Sequence, residues 1–100
     1  MAQYYNGISR VNSVVNIPII YRLVLATISA DSSLSLASVP SVGKEVHVII
    51  HNTATKDIAV TIPNSGNYVN TLDPTLTVKA SSYAEVNLIS DGSIIYIKYV

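Results

Sequence analysis

The chain contains no cysteine, no tryptophan and no phenylalanine, and only 12% of its residues are charged. Without cysteine, a disulfide scaffold is excluded, and so is any site that uses a thiolate as nucleophile or metal ligand. The six basic residues stand singly along the chain, which is not the pattern of a nucleic-acid-binding surface. Four glycines cannot form a glycine-rich phosphate loop. We therefore expect neither a cofactor nor a nucleic-acid partner.

Charge is balanced as well as scarce. Six Lys and Arg oppose six Asp and Glu, which gives a net charge of zero, whereas about a quarter of the residues of an ordinary soluble domain are charged. A surface built from Ser, Asn and Thr is solvated but repels other copies only weakly. We therefore predict that the protein binds itself, as a homotrimer or a homodimer.

Long apolar runs are missing. The longest candidate, residues 17–28, begins with Ile17-Pro18 and is interrupted by Arg22. It is too short and too charged to span a bilayer, and it matches a cleaved signal peptide poorly. We predict no membrane partner, and synthesis in the cytoplasm without a signal peptide.

What the chain does contain is β-branched. Thirteen Val, thirteen Ile and seven Thr form a third of the sequence, which favours pleated strands over helices. Alternating apolar segments are separated by short clusters of turn residues. The pattern predicts an all-β fold: a small, jelly-roll-like antiparallel β-sandwich of roughly seven to eight short strands, with no substantial helix, over residues 17–100.

The last eighteen residues carry the strongest hairpin signal. Asp91-Gly92 stands between two strand-like runs and predicts a two-residue type I′ turn. Folding about this turn would pair Ile89 with Ile94, Leu88 with Ile95, Asn87 with Tyr96, Val86 with Ile97 and Glu85 with Lys98. The apolar residues then share one face, and a one-residue slip would turn them outward.

A second hairpin is predicted from residues 45–51 and 57–62. The first segment would turn Val46, Val48 and Ile50 inward. A five-residue loop would bring the second segment back beside it, which places Asp57 opposite His51. Residues 75–79 form a further alternating strand.

Candidate catalytic and metal-binding residues do not form a constellation. His47 and His51 lie four strand positions apart, about 13 Å, so one chain cannot bring both to the same ion. A metal held by one histidine from each of several subunits is the alternative that remains. The acidic residues stand mostly beside turns, and a hydrolase would need two of them in a cleft. We predict no enzyme activity and no metal.

The outward face of the terminal hairpin is apolar. Ile89, Ile94 and Tyr96 would be adjacent there and would leave an exposed patch on a monomer. We predict that these residues, together with the outward Ile49, form an oligomer interface.

The first sixteen residues show no sustained period. They are either a frayed terminus or an arm that attaches to a neighbouring subunit. In the second case Tyr4, Tyr5 and Ile8 would be the anchors, since tyrosine contributes a large contact area at low entropic cost.

Residues 44–52, 58–63 and 82–97 resemble a β-sandwich module of tailed-phage virion proteins, of the head-fibre, capsid-decoration and tail-fibre type, as in crAss-like and other phages of Bacteroidales. The resemblance covers residues 40–100. It implies a structural or adhesive role in a phage particle, as a symmetric oligomer attached by an N-terminal arm to other virion proteins such as the capsid. It brings no catalytic residues.

Two functions follow as expectations. The first is a non-enzymatic virion structural protein, located in the phage particle. The alternative is a glycan-binding adhesin module of a phage fibre or a bacterial surface, in which Tyr68 and Tyr83 stack on the sugars of a host surface glycan.

Overall fold

A computed structural model describes residues 7–100 of the chain. Within this range the polypeptide forms nine strands and no helix, so no helix long and apolar enough to cross a membrane is found there. The strands are β1 (Ile8–Val11), β2 (Leu23–Ile28), β3 (Ser32–Ser33), β4 (Glu45–Asn52), β5 (Ile58–Thr61), β6 (Tyr68–Val69), β7 (Thr75–Val78), β8 (Tyr83–Ser90) and β9 (Ile95–Tyr99).

The strands form two sheets that enclose one core. The large sheet has the order β1-β2-β4-β8-β9-β6, and the small sheet has the order β3-β5-β7. The all-β, sandwich-like fold without helix is therefore confirmed. The pairing within it is more mixed than the predicted antiparallel arrangement: β1 with β2, β2 with β4, β3 with β5 and β6 with β9 run parallel.

From β2 to β8 the chain passes between the two sheets at every connection. The even-numbered strands β2, β4, β6 and β8 lie in the large sheet, and β3, β5 and β7 lie in the small one. The excursion through β3 in the small sheet brings the chain back to the large sheet in its original direction, which allows β2 and β4 to be parallel neighbours without a helix. Only β8 and β9 form a hairpin of consecutive strands among the described residues.

The core follows the alternation of the strands. In each main strand every second side chain points into the space between the two sheets. The fully buried side chains there include Val24, Val48, Ile58, Val60 and Val86. The inward set predicted for residues 45–51 is confirmed, because Val46, Val48 and Ile50 have no exposed surface.

The terminal hairpin forms with the predicted faces but with a different register. Ile89 pairs with Tyr96, and Leu88 pairs with Ile97, so each residue stands two positions from its predicted partner. The predicted pairing of Glu85 with Lys98 is wrong, because Lys98 lies opposite Asn87. A shift of two keeps every side chain on its own face, so the apolar pattern fits both registers equally well.

The turn itself explains the shift. Gly92 has a φ of 97°, whereas no positive φ occurs at Asp91 or Ser93. Gly92 and Ser93 therefore occupy the centre of the turn, with glycine at the first central position as in a type II′ turn. Asp91 stands one position earlier than predicted and binds the turn with its side chain.

The predicted hairpin of β4 with β5 is wrong. Both sides of β4 are occupied within the large sheet, by β2 and β8, and β5 crosses to the small sheet, where it pairs with β3 and β7. Ile58, Val60 and Ile62 are nevertheless buried, since the same alternation faces the core from either sheet.

The folded domain begins before residue 17. Ile8–Val11 forms an edge strand of the large sheet, and Val14 is completely buried. The main chain of Ser35 donates to the Val14 oxygen at 2.9 Å and accepts from the Ile17 nitrogen at 2.9 Å. Residues 8–16 of the segment predicted as an arm are thus part of the sandwich, and Tyr4 and Tyr5 lie outside the described residues.

Candidate interaction surface

The large sheet has one face on the core and one face away from it. We call the second the outer face. Strand register places its side chains in rows across neighbouring strands: one row holds Glu45, Ile89, Tyr96 and Val69, the next Ile8, Leu23, His47, Asn87 and Lys98, the next Arg10, Leu25, Ile49 and Glu85, and the last Thr27, His51 and Tyr83. Three of the four residues predicted to form an interface lie in these rows: Ile49, Ile89 and Tyr96. The fourth, Ile94, stands two residues before Tyr96.

One end of the outer face is apolar. Ile89 lies directly opposite Tyr96, and their exposed fractions are 36% and 45%. Ile94 precedes Tyr96 by two residues and is half-buried. The row continues to Val69 on the short strand β6, which pairs in parallel with β9. We call Val69, Ile89, Ile94 and Tyr96 the hairpin patch.

Val69 was not predicted as part of this patch. Its strand is only two residues long, and its partner Tyr96 lies far away in the sequence, so no local pattern links the two. A single chain gives no signal for such a parallel pairing; its detection needs the tertiary structure.

Asp91 fixes the turn beside the hairpin patch. Its Oδ1 accepts hydrogen bonds from the main-chain nitrogens of Ile94 at 2.7 Å and Ser93 at 2.9 Å. The Tyr96 hydroxyl donates to Oδ2 at 3.4 Å. The hydrogen bonds from the Ile94 and Ser93 main chain lower the pKa of the Asp91 carboxyl below its ordinary value, because they favour the ionised form. The turn is therefore bound most firmly by the carboxylate.

A polar group separates the two ends of the outer face. His47 Nδ1 lies 2.5 Å from Asn87 Oδ1 and 3.3 Å from Glu85 Oε2, so the tautomer with a proton on Nδ1 can donate to these acceptors. His47 Nε2 lies 3.2 Å from Glu45 Oε1, but it is buried and the geometry does not make a hydrogen bond. We call Glu45, His47, Glu85 and Asn87 the polar belt.

The polar belt does not bring the two histidines together. Among residues 7–100, no three side chains of His, Cys, Asp or Glu are placed to hold a metal ion. His51 lies two rows away, opposite Tyr83, so the two histidines do not converge. Glu45 Oε1 and Glu85 Oε2 lie 3.2 and 3.3 Å from the two ring nitrogens of His47.

The other end of the outer face holds Ile49, His51 and Tyr83, which line a shallow depression. Tyr83 is 70% exposed. Ile49 pairs with Glu85, four residues before Ile89 on the same strand, which places Ile49 about 13 Å from the hairpin patch. The structure thus brings Ile89 and Tyr96 together but leaves Ile49 beside Glu85, beyond the row of His47 and Asn87.

The predicted pairing of His51 with Asp57 is wrong. Asp57 lies in the connection to the small sheet, where its Oδ1 accepts from the Ala80 nitrogen at 2.9 Å and its Oδ2 lies 3.9 Å from Lys79 Nζ. The separation follows from the crossing of β5 to the other sheet.

The two tyrosines predicted to bind glycan have different environments. The Tyr68 hydroxyl accepts a hydrogen bond from the Leu36 main chain at 2.9 Å, and its ring packs against the core. The Tyr68 ring is therefore partly buried and held in place by its hydroxyl. Tyr83 alone of this pair has an exposed face.

The comparisons with known proteins give no relative. No family model, no curated protein and no solved structure matches this chain, so function must be inferred from its own residues and geometry.

Proposed function

We propose that the protein is a non-enzymatic virion structural protein, a head-fibre or capsid-decoration subunit that assembles with its own copies through the hairpin patch. Support for the particle comes from the resemblance of residues 44–52, 58–63 and 82–97 to phage virion modules. Support for assembly comes from the zero net charge and the 12% charged content, because such a surface repels its copies weakly.

The observation that carries the assembly proposal is the cross-strand pairing of Ile89 with Tyr96. Two large side chains stand side by side, both more than a third exposed, at one end of the outer face. Adjacent apolar side chains at a surface are typical of protein–protein contacts, where tyrosine is enriched. In a symmetric dimer or trimer, the hairpin patch of a second copy would cover the hairpin patch of the first.

Size-exclusion chromatography with light scattering tests the assembly. We expect the wild-type chain to elute as a dimer or a trimer at micromolar concentration, and Ile89→Ser with Tyr96→Ser to elute as a monomer. Val15→Ser is the matched control, because Val15 is 51% exposed in the connection that follows β1, where its nitrogen binds the Ser13 hydroxyl, at the opposite end of the large sheet from the hairpin patch. A wild-type monomer, or an oligomer that the double variant leaves intact, would contradict the proposal.

Attachment through the N-terminal segment needs its own test. Removal of residues 1–16 would delete β1 and the buried Val14, so loss of attachment would then be confused with loss of folding. Removal of residues 1–6 spares both. We expect this shorter deletion to abolish incorporation into phage particles, measured by mass spectrometry of purified particles, and to leave the oligomer intact. Normal incorporation would exclude Tyr4 and Tyr5 as anchors.

A glycan-binding adhesin module is the second candidate. It is favoured by Tyr83, whose ring is 70% exposed beside the depression at Ile49 and His51, because exposed tyrosines stack on sugar rings. A glycan array tests it, with Tyr83→Ala expected to lose the signal. Tyr68→Phe is the control, since that ring is partly buried. An array without any signal would remove this candidate.

A further inference from the structure

A second concavity opens beyond the ends of the parallel strands. β1, β2 and β4 run in the same direction, so their carboxyl ends meet at one edge of the large sheet. A cleft of about 330 Å³ lies at that edge, which is within the range of small-ligand sites. We call it the strand-end cleft; it is lined by Asn12, Ser13, Thr27, Ile28, Ser29, Ala30, Ser32 and Thr53.

The lining selects the chemistry of a ligand. Six of the eight residues carry a hydroxyl or an amide, and none is charged or aromatic. A charged ligand would find no counter-charge there. A neutral molecule with many hydroxyl groups could form several hydrogen bonds to this lining, because each hydroxyl both donates and accepts.

The hydroxyl groups of the cleft can still form hydrogen bonds to a ligand, because their bonds within the protein use only part of their donors and acceptors. The Ser13 hydroxyl accepts from the Val15 nitrogen at 3.0 Å, so its proton is available to donate. The hydroxyls of Ser32 and Thr53 donate to main-chain oxygens at 3.2 and 3.3 Å, so their lone pairs are available to accept. Within residues 7–100, the side chains of Thr27 and Ser29 make no hydrogen bond to protein. Donors and acceptors thus lie together in one cleft.

Strand register relates the cleft to the depression beside Tyr83. Thr27 lines the cleft and lies in the same row as His51 and Tyr83 on neighbouring strands. Two strand spacings separate Thr27 from Tyr83, about 10 Å, so a short oligosaccharide can reach both. A hydroxyl-lined pocket at one end and an aromatic ring at the other is an arrangement that would bind both the edge and the face of sugars.

We propose that the strand-end cleft binds one uncharged sugar residue of a glycan, and that the chain continues along the Thr27–His51–Tyr83 row so that a following sugar stacks on Tyr83. This inference gives the glycan-binding candidate a site and a ligand class, and it is independent of assembly through the hairpin patch. The glycan is neutral and runs across the strands of the large sheet.

Titration of ¹⁵N-labelled full-length protein tests the site. The probes are glucose, galactose, mannose and N-acetylglucosamine, the neutral trisaccharides of each, and glucuronate as a charged probe. We expect saturable amide shifts at Ser29, Ala30 and Thr53 with at least one neutral sugar. Trisaccharide should bind more tightly than monosaccharide, and glucuronate should bind more weakly. Absence of saturable shifts with every sugar, or stronger binding of glucuronate, would overturn the proposal.

Two variants assign the binding to the named side chains. Thr27→Val removes one hydroxyl from an exposed position and keeps the β-branched shape, so the fold is retained; we expect roughly threefold to tenfold weaker binding of every sugar, the loss of one neutral hydrogen bond. Tyr83→Ala should weaken the trisaccharide and leave the monosaccharide unchanged. Ser93→Ala, in the β8–β9 turn, is the hydroxyl control. Unchanged affinity in Thr27→Val would contradict the cleft.

The same titration separates this site from the assembly proposal. Ile89→Ser with Tyr96→Ser alters only the hairpin patch, so this variant should bind sugar as the wild type does, whether or not it has become a monomer. Shifts confined to the hairpin patch would place the ligand elsewhere and overturn the cleft assignment.

Discussion

Asn52 Nδ2 donates a hydrogen bond to the main-chain oxygen of Val78 at 3.0 Å. Asn52 is the last residue of β4 in the large sheet, and Val78 is the last residue of β7 in the small sheet, so this bond joins the two sheets directly. The same amide nitrogen lies 2.8 Å from the Lys56 oxygen, and Oδ1 accepts from the Ala54 nitrogen at 2.8 Å. Asn52 therefore shapes the loop that carries the chain between the sheets.

Replacement of Asn52 by alanine should destabilise the fold strongly. Asn52 is completely buried, and its loss leaves main-chain groups of the loop without partners, which costs about 3 kcal/mol of unfolding free energy. Urea unfolding followed by circular dichroism measures the change. Asn67→Ala is the control, because Asn67 makes one exposed hydrogen bond to the Ser93 oxygen and should cost less than about 1 kcal/mol. Equal costs would show that burial of Asn52 is not the cause.

Neighbouring residues of β8 should respond in opposite ways. Leu88 has no exposed surface, whereas Ile89 is 36% exposed on the outer face. Leu88→Ala should lower the unfolding free energy by about 2 to 5 kcal/mol through the cavity that it creates. Ile89→Ala should cost less than about 1 kcal/mol in the dissociated chain. Urea unfolding at a concentration where the protein is monomeric compares them; a larger cost for Ile89 would show that the strand faces the other way.

Acid should loosen the β8–β9 turn through Asp91. Because the folded-state pKa of Asp91 lies below its unfolded value of 3.8, its carboxylate stabilises the fold at pH values above the unfolded pKa. That stabilisation is lost as the pH falls through the folded pKa. Asp91→Asn cannot ionise, so it should unfold more readily than the wild type near neutral pH, and the difference should shrink below about pH 4. Urea midpoints across acid pH measure it; a constant difference would contradict the role of the carboxylate.

Gly7 should be needed for the docking of β1. It has a φ of 139°, and a Cβ at this position would lie 2.7 Å from Tyr21 Cε1, so Gly7→Ala combines backbone strain with a steric clash. We expect faster hydrogen exchange at the amides of Ile8–Val11, with β4 and β8 unchanged. Gly66→Ala, in an exposed turn with open space around it, should leave β1 unaffected. Unchanged exchange in β1 would show that the strand tolerates a side chain here.

Several features of the fold are readable from local chemistry. A third of the residues are β-branched, and alternation with period two assigns the inward side of β4, β7 and β8. Val48, Val78 and Val86 are buried accordingly. The apolar side of the terminal hairpin is likewise predicted correctly. Strand content and the inward side of each strand depend on residues that are close in the chain, so both can be predicted from the sequence.

The register of that hairpin shows where local chemistry is insufficient. The predicted and observed registers differ by two residues, and both bury the same side chains. The choice between them depends on where the positive φ falls, and it falls on Gly92 as the first central residue of the turn. The Asp91 carboxylate then binds the Ser93 and Ile94 nitrogens, an arrangement that the Asp-Gly pair does not indicate by itself.

The amino-acid sequence alone determined that this protein is an all-β domain and which side of its main strands faces the core, because the two-residue period of a strand is a local property. Only the tertiary structure decided which strands are neighbours. The chain crosses between sheets after β4, so Ile58 meets β7 instead of β4, and strands distant in sequence build the hairpin patch and the strand-end cleft. The apolar side of β5 can be buried in either sheet. Which strand pairs with β5 therefore depends on the packing of the whole chain.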